Sequence, residues 1–217
     1  VCCRTCLPLA IRVVLPILSQ TQAANTCSES RGMPASPTTI HEVDFCAQVA
    51  SAINVLISQN SSAFSPLFEA RVEGFGTGAD RLKRKDLRFF DTGGKLVLCG
   101  EVKMPGTPEG RSPFAEAFVQ DAAGKAANKG VRYFFTWNVN ELVLFDHSKW
   151  NFPMIERCVG IWRLPRSLAG AQDVAREENL SFIKTHFLPD LVRDMADLLS
   201  GRRRGWLPAD DFFIRSL

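Results

Sequence analysis

Between Lys85 and Lys103 the chain reads as two short alternating runs around Gly93-Gly94, and no other segment restricts the fold as much. A Gly-Gly pair favours the two-residue loop of a type I′ hairpin. Counting back from Thr92 opposite Lys95 places Asp86 directly opposite Glu101. Opposed residues share a face, and Lys103, two positions beyond Glu101, shares it too. Leu87, Phe89, Leu96, Leu98 and Val102 fall on the other face and make a core surface. Asp91, the competing acidic residue, lies at the turn end opposite Leu96 and reads as a turn residue. Two carboxylates and a lysine thus converge on one side of a hairpin whose other side is buried.

Carboxylates this close repel unless a cation sits between them. A hard divalent ion resolves the conflict, because Mg²⁺ takes one or two carboxylates and keeps several waters. A lysine beside such an ion can position or deprotonate water and stabilise charge developing on a phosphate. That is the apparatus of metal-assisted phosphodiester hydrolysis. A cross-strand salt bridge from Lys103 to Glu101 on a solvated face accounts for the same residues without chemistry, and both readings stand at this point.

Around the hairpin the pattern is that of an α/β domain. Thr39-Ile40-His41-Glu42 has the form of a capping box, and Cys46, Val49, Ala50, Ile53, Leu56 and Ile57 follow at helical spacing, predicting a helix over 40–58. Glu42 is explained by that cap, with a place in the site as the alternative. Phe68 to Phe75 alternates as a strand. Ser112-Pro113 predicts the start of a helix that Gly130 ends, and Val131–Thr136 and Leu142–Phe145 are β-rich runs. Beyond Gly160 the pattern turns helical, with one apolar stripe through Leu188, Leu191, Val192, Met195, Leu198 and Leu199.

Composition narrows the function classes only a little. A net charge of +3 is too small to mark a nucleic-acid binder, but from Arg71 to Arg132 twelve basic residues face eight acidic ones. Arg81, Lys83, Arg84 and Lys85 lead into the first hairpin strand, and Lys125 and Lys129 lie on the following helix. Each can hold a DNA phosphate or simply form a solvated surface. The seven cysteines make no disulfide framework, which suits a reducing, cytoplasmic setting. Cys3-Arg4-Thr5-Cys6 lacks a second pair at zinc spacing, and His41, His147 and His186 show no ligand spacing. Gly74-Phe75-Gly76 lacks a third glycine and a phosphate-binding context. Leu7–Leu18 is too short for a membrane span and is interrupted by Arg12 and two prolines.

Lys85-Asp86, fourteen residues, then Glu101-Val102-Lys103 resembles the PD-(D/E)xK nuclease motif, with Lys85 where proline is common. The resemblance spans about residues 40–146. It implies that Asp86 and Glu101 bind the metal, that Lys103 serves the attacking water, and that Gln120 in Phe118-Val119-Gln120-Asp121 orients Lys103 or the scissile phosphate. Val131 to Asn138 is similar to the strand ending in Thr-Asn that follows in many restriction-type nucleases.

The expected architecture is a restriction-endonuclease-like α/β core over residues 33–165, a mixed central sheet flanked by helices, with a helical extension over 166–217. Residues 1–32 read as an upstream extension or misplaced start, with a secretion signal as the alternative. The expected activity is Mg²⁺-dependent DNA hydrolysis. The rivals are a catalytically silent module that binds DNA or a partner protein, and a small interaction domain whose Asp86–Glu101–Lys103 cluster is structural. The C-terminal stripe, Arg202-Arg203-Arg204 and the final apolar run read as a connector to a further domain. By resemblance to restriction polypeptides, that domain is an adenine-N6 DNA methyltransferase with a target-recognition part.

Overall fold

The computed structural model describes residues 39–72 and 86–202, the side chain of Asp86 excepted. The readings of residues 1–32, of Arg81, Lys83, Arg84 and Lys85, and of the final apolar run lie outside the described residues. Helix α1 (Glu42–Gln59) and the short α2 (Ser61–Phe64) precede strands β1 (Glu69–Val72), β2 (Asp86–Phe90) and β3 (Leu96–Val102). Then follow α3 (Glu116–Asn128), β4 (Tyr133–Trp137), β5 (Glu141–Asp146), α4 (Met154–Arg157) and β6 (Cys158–Arg163). The described chain ends in α5 (Ala171–Ala175), α6 (Glu177–Phe182) and α7 (Leu188–Leu199). The six strands form one sheet in chain order, antiparallel except where β3 runs parallel to β4. It is a mixed sheet flanked by helices.

The β2–β3 hairpin pairs Asp86 with Glu101, but its turn differs from the expected one. Asp91 and Lys95 close a three-residue loop: Asp91 N–H donates to Lys95 O, Gly94 N–H donates to Asp91 O, and Asp91 Oδ1 accepts from the N–H groups of Gly93 and Lys95. Only Gly94 is left-handed, at φ 75°, the arrangement of a type I turn followed by a left-handed residue. That loop alone would set the strands one residue out of the expected register. A bulge between Phe89 and Phe90 restores it. The bulge also moves Leu96 from its expected face: it packs against the α3-side core, while Val97 joins the α1-side core.

Each sheet face has its own core. On one, Phe45, Ile53, Leu87, Phe89, Leu98, Phe135 and Trp137 pack with Leu188, Leu191, Val192 and Met195 of α7. The Trp137 ring meets Phe45 edge-on at 5.2 Å and stacks on Phe187 at 6.0 Å. The C-terminal stripe is therefore buried in the core that α1 shares. On the other face α3 lays Val119, Ala122, Ala123 and Ala126 against Cys99, Phe134, Val143 and Phe145. Alanines let the helix approach the sheet closely. Gly100 is required beneath the first core, since a Cβ there would run into the Phe135 ring.

Three local readings need correction. The N-cap of α1 is His41, with no side-chain cap bond, so the Thr39 capping box does not form. Helix α3 starts at Glu116 rather than at Ser112-Pro113, because Pro113 O accepts from Thr136 Oγ1 at 2.6 Å and ties that segment to β4. Gly130 ends α3 as expected: at φ 65° it donates to Ala127 O while Val131 donates to Ala126 O. Beyond Gly160 the chain is still β6, paired with β5 through Ile161–Val143 and Trp162–Leu142. Among the described residues no helix is long and apolar enough to cross a membrane.

Candidate active site

Glu101 lies next to last in β3, between Asp86 on one neighbouring strand and Thr136 on the other. Its side chain is almost completely buried, yet it carries a carboxylate. Burial in apolar surroundings disfavours a charge, so the partners decide the outcome. Lys103 Nζ stands 2.8 Å from Oε1 and Lys125 Nζ donates to Oε2 at 2.6 Å. Burial pushes the Glu101 carboxyl up, but hydrogen bonding with Asp121, Lys103 and Lys125 outweighs it and holds the group at about 2. Burial draws Lys103 down, and Glu101, aided by Glu42, more than offsets this, so its pKa is raised. The contact with Glu101 is the first cause of the raised pKa of Asp121, with burial second.

Three elements deliver these groups. Strand β3 supplies Glu101 and, just past its end, Lys103, whose N–H continues the sheet by donating to Trp137 O at 2.9 Å. Helix α3 supplies Asp121 and Lys125, an i,i+4 pair 3.3 Å apart. Helix α1 supplies Glu42, which turns inward to accept the Met104 N–H at 3.0 Å. Glu42 was read as a cap. It is instead buried and fastens the chain directly after Lys103.

The structure does not bring Gln120 into this cluster. Its side chain is exposed and its amide donates to Glu116 Oε1 at 3.0 Å. The buried stripe of α3 has two flanks, and Gln120 shares one with Glu116. Asp121 and Lys125 ride the other, which faces Glu101. Lys125, read as a DNA-phosphate contact, is thus bound to the central carboxylate, and Asp121 was missed. Their four-residue spacing beside the apolar stripe was a usable signal, but the sequence does not say which flank meets the strand end.

The donor set suits a hard cation. Glu101 and Asp121 bring two carboxyl groups together, and the β2–β3 register sets Asp86 across from Glu101. Among the described residues neither histidine nor thiol joins them, and oxygen donors are what Mg²⁺ prefers. Among the described residues no group of three or more His, Cys, Asp or Glu is gathered for metal binding.

No family model matches the chain. No curated protein matches it either. Among solved structures the chain is similar to a type IIG restriction endonuclease, BpuSI, at 15% identity with a TM-score of 0.47. The likeness covers 75% of this chain and 17% of that one, so the chain spans under a fifth of the length of the protein it resembles.

Proposed function

We propose that this chain is a nuclease module that hydrolyses DNA phosphodiester bonds with Mg²⁺. The observation that carries the reading is Glu101: a buried carboxylate at a strand end, set opposite Asp86 and flanked by two lysine ammonium groups. Asp86 and Glu101 hold the metal, which when bound supplies Lewis-acid polarisation and a more acidic water. Lys103 orients the attacking water and steadies charge on the phosphate oxygens. Arg81, Lys83, Arg84 and Lys85 hold the DNA backbone, contacts that position the duplex without reading its sequence. Gln120, turned toward Glu116, takes no part in this arrangement.

The resemblance of the Asp86…Glu101-Val102-Lys103 motif extends the proposal to a cytoplasmic restriction–modification or related defence system. There the module works with an adenine-N6 DNA methyltransferase and a target-recognition part, either downstream or in a partner. A second reading, a catalytically silent module that binds DNA or a partner protein, draws on the fact that both Glu101 oxygens already have lysine partners. Supercoiled plasmid incubated with the protein separates them. Nicking with Mg²⁺ that EDTA abolishes is the expected result, and intact plasmid under both conditions favours the silent module.

A further inference from the structure

Each oxygen of Glu101 holds an ammonium group, at 2.8 and 2.6 Å, so a cation approaching this carboxylate meets two resident positive charges. The two lysines are not equally placed to leave. Lys103 is held between the charges of Glu101 and Glu42, and its side chain is 19% exposed. Lys125 is more open, at 27%, and already touches a second carboxylate, Asp121 Oδ2, at 3.3 Å. Asp121 is 55% exposed and precedes Lys125 by one helical turn, the favourable order for an acidic–basic pair. Lys125 also sits in the last turn of α3, where the helix end favours positive charge. Lys125 can therefore pivot outward and keep Asp121 as its counter-ion, and it is the more open of the two lysines.

We infer that Lys125 is an exchangeable internal cation: it occupies Glu101 until a divalent ion arrives, then gives up that oxygen and remains with Asp121 at the rim of the site. This rests on the proposed metal-dependent function and adds a control on it. The protein stays charge-balanced and folded without metal, and the metal must compete with a resident lysine. Removing Lys125 therefore tightens metal binding, the reverse of what the loss of a ligand or a structural ion pair does.

The test is Mn²⁺ binding followed by the electron paramagnetic resonance signal of the free ion, with thermal melts to verify folding. Lys125→Met should bind Mn²⁺ on the order of tenfold more tightly than the wild type, the size of one ordinary charge interaction at a half-buried site. Lys125→Arg, which keeps the charge, should stay near wild type and remain informative should the methionine variant fold poorly. Wild-type binding should disappear in Glu101→Gln. Unchanged or weaker Mn²⁺ binding in Lys125→Met, where the wild type binds through Glu101, overturns the exchange alone. Tightening in Lys103→Met but not in Lys125→Met overturns it as well. Absence of Glu101-dependent binding in every variant overturns the metal reading together with the exchange.

Discussion

Two buried carboxylates sit at opposite ends of the sheet, and their partners differ in kind. Asp146 pairs with Tyr133 at the start of β4, and Glu101 pairs with Thr136 near its end. Asp146 receives Arg132 through two guanidinium nitrogens, at 3.1 and 2.8 Å, and both the N–H and the hydroxyl of Ser148, at 3.0 and 2.7 Å. A planar fork and a backbone donor fix it in one geometry, and it caps the turn after β5. The described partners of Glu101 are side chains: two lysines on flexible stems and one carboxyl group. Ammonium groups satisfy charge without fixing direction. Burial of a charge thus does not by itself mark a functional site. What differs between the two is how firmly the partners are fixed.

Glu101→Gln should reduce Mg²⁺-dependent cleavage by about 10²-fold or more, comparable to the loss of a major transition-state interaction. The fold should survive, as judged by circular dichroism, because the glutamine amide still meets polar neighbours. Full cleavage by this variant would remove Glu101 from the chemistry. Lys103→Ala should lower the single-turnover rate by about 10²-fold and change DNA affinity far less, since one phosphate contact among several contributes little to binding. Weakened binding with an unchanged single-turnover rate would make Lys103 a phosphate anchor.

Asp146→Asn should have the opposite profile. It should lose about 1–2 kcal/mol of stability in denaturant titrations, the screened value of a charged hydrogen-bond set whose arginine is mostly exposed. Cleavage per folded molecule should be unchanged. The acid limb separates the two carboxylates further. Burial pushes Asp146 up, but Arg132 and Ser148 outweigh it, so its folded pKa lies below the ordinary value. That stability is present above the ordinary aspartate range and is lost as pH falls through the folded value. Glu101 behaves alike between about 4.5 and about 2. Thermal melts should therefore fall less steeply with acidification in either amide variant. Gly94→Ala should cost a comparable amount, about 1–2 kcal/mol for a left-handed residue with open space around it, with no change in acid dependence. It should leave cleavage intact, because the turn lies at the far end of the hairpin from Glu101.

Much of the fold was legible because it rests on hydrophobic alternation, yet the central pairing was reached through two shifts that cancel. The Gly-Gly pair suggested a two-residue loop; the Asp91 carboxylate organises a three-residue one, and the bulge before Phe90 returns the register. Neither shift is visible in the local pattern, because a bulge is settled by which side chains the two cores accept. Strand β6 was unreadable for a related reason: Gly160 interrupts its alternation, and the Trp162 ring covers that position. In the site, Glu101 and Lys103 followed from strand periodicity, whereas Glu42 and Asp121 come from helices whose rotation only packing fixes. Gln120, named through the motif resemblance, shows this most clearly, since it flanks the same apolar stripe as Asp121 and Lys125 but on the side that meets Glu116.

The central claim is that the hairpin places Asp86 and Glu101 on one shared ion. Single-turnover cleavage of Asp86→Asn, Glu101→Gln and the double variant, with Mg²⁺ at saturation for the wild type, tests it most directly. Residues that act as a unit are strongly non-additive. The account predicts that each single variant loses nearly all cleavage and that the double variant is no worse than either. Full activity in one single variant, or losses that multiply in the double, would contradict it.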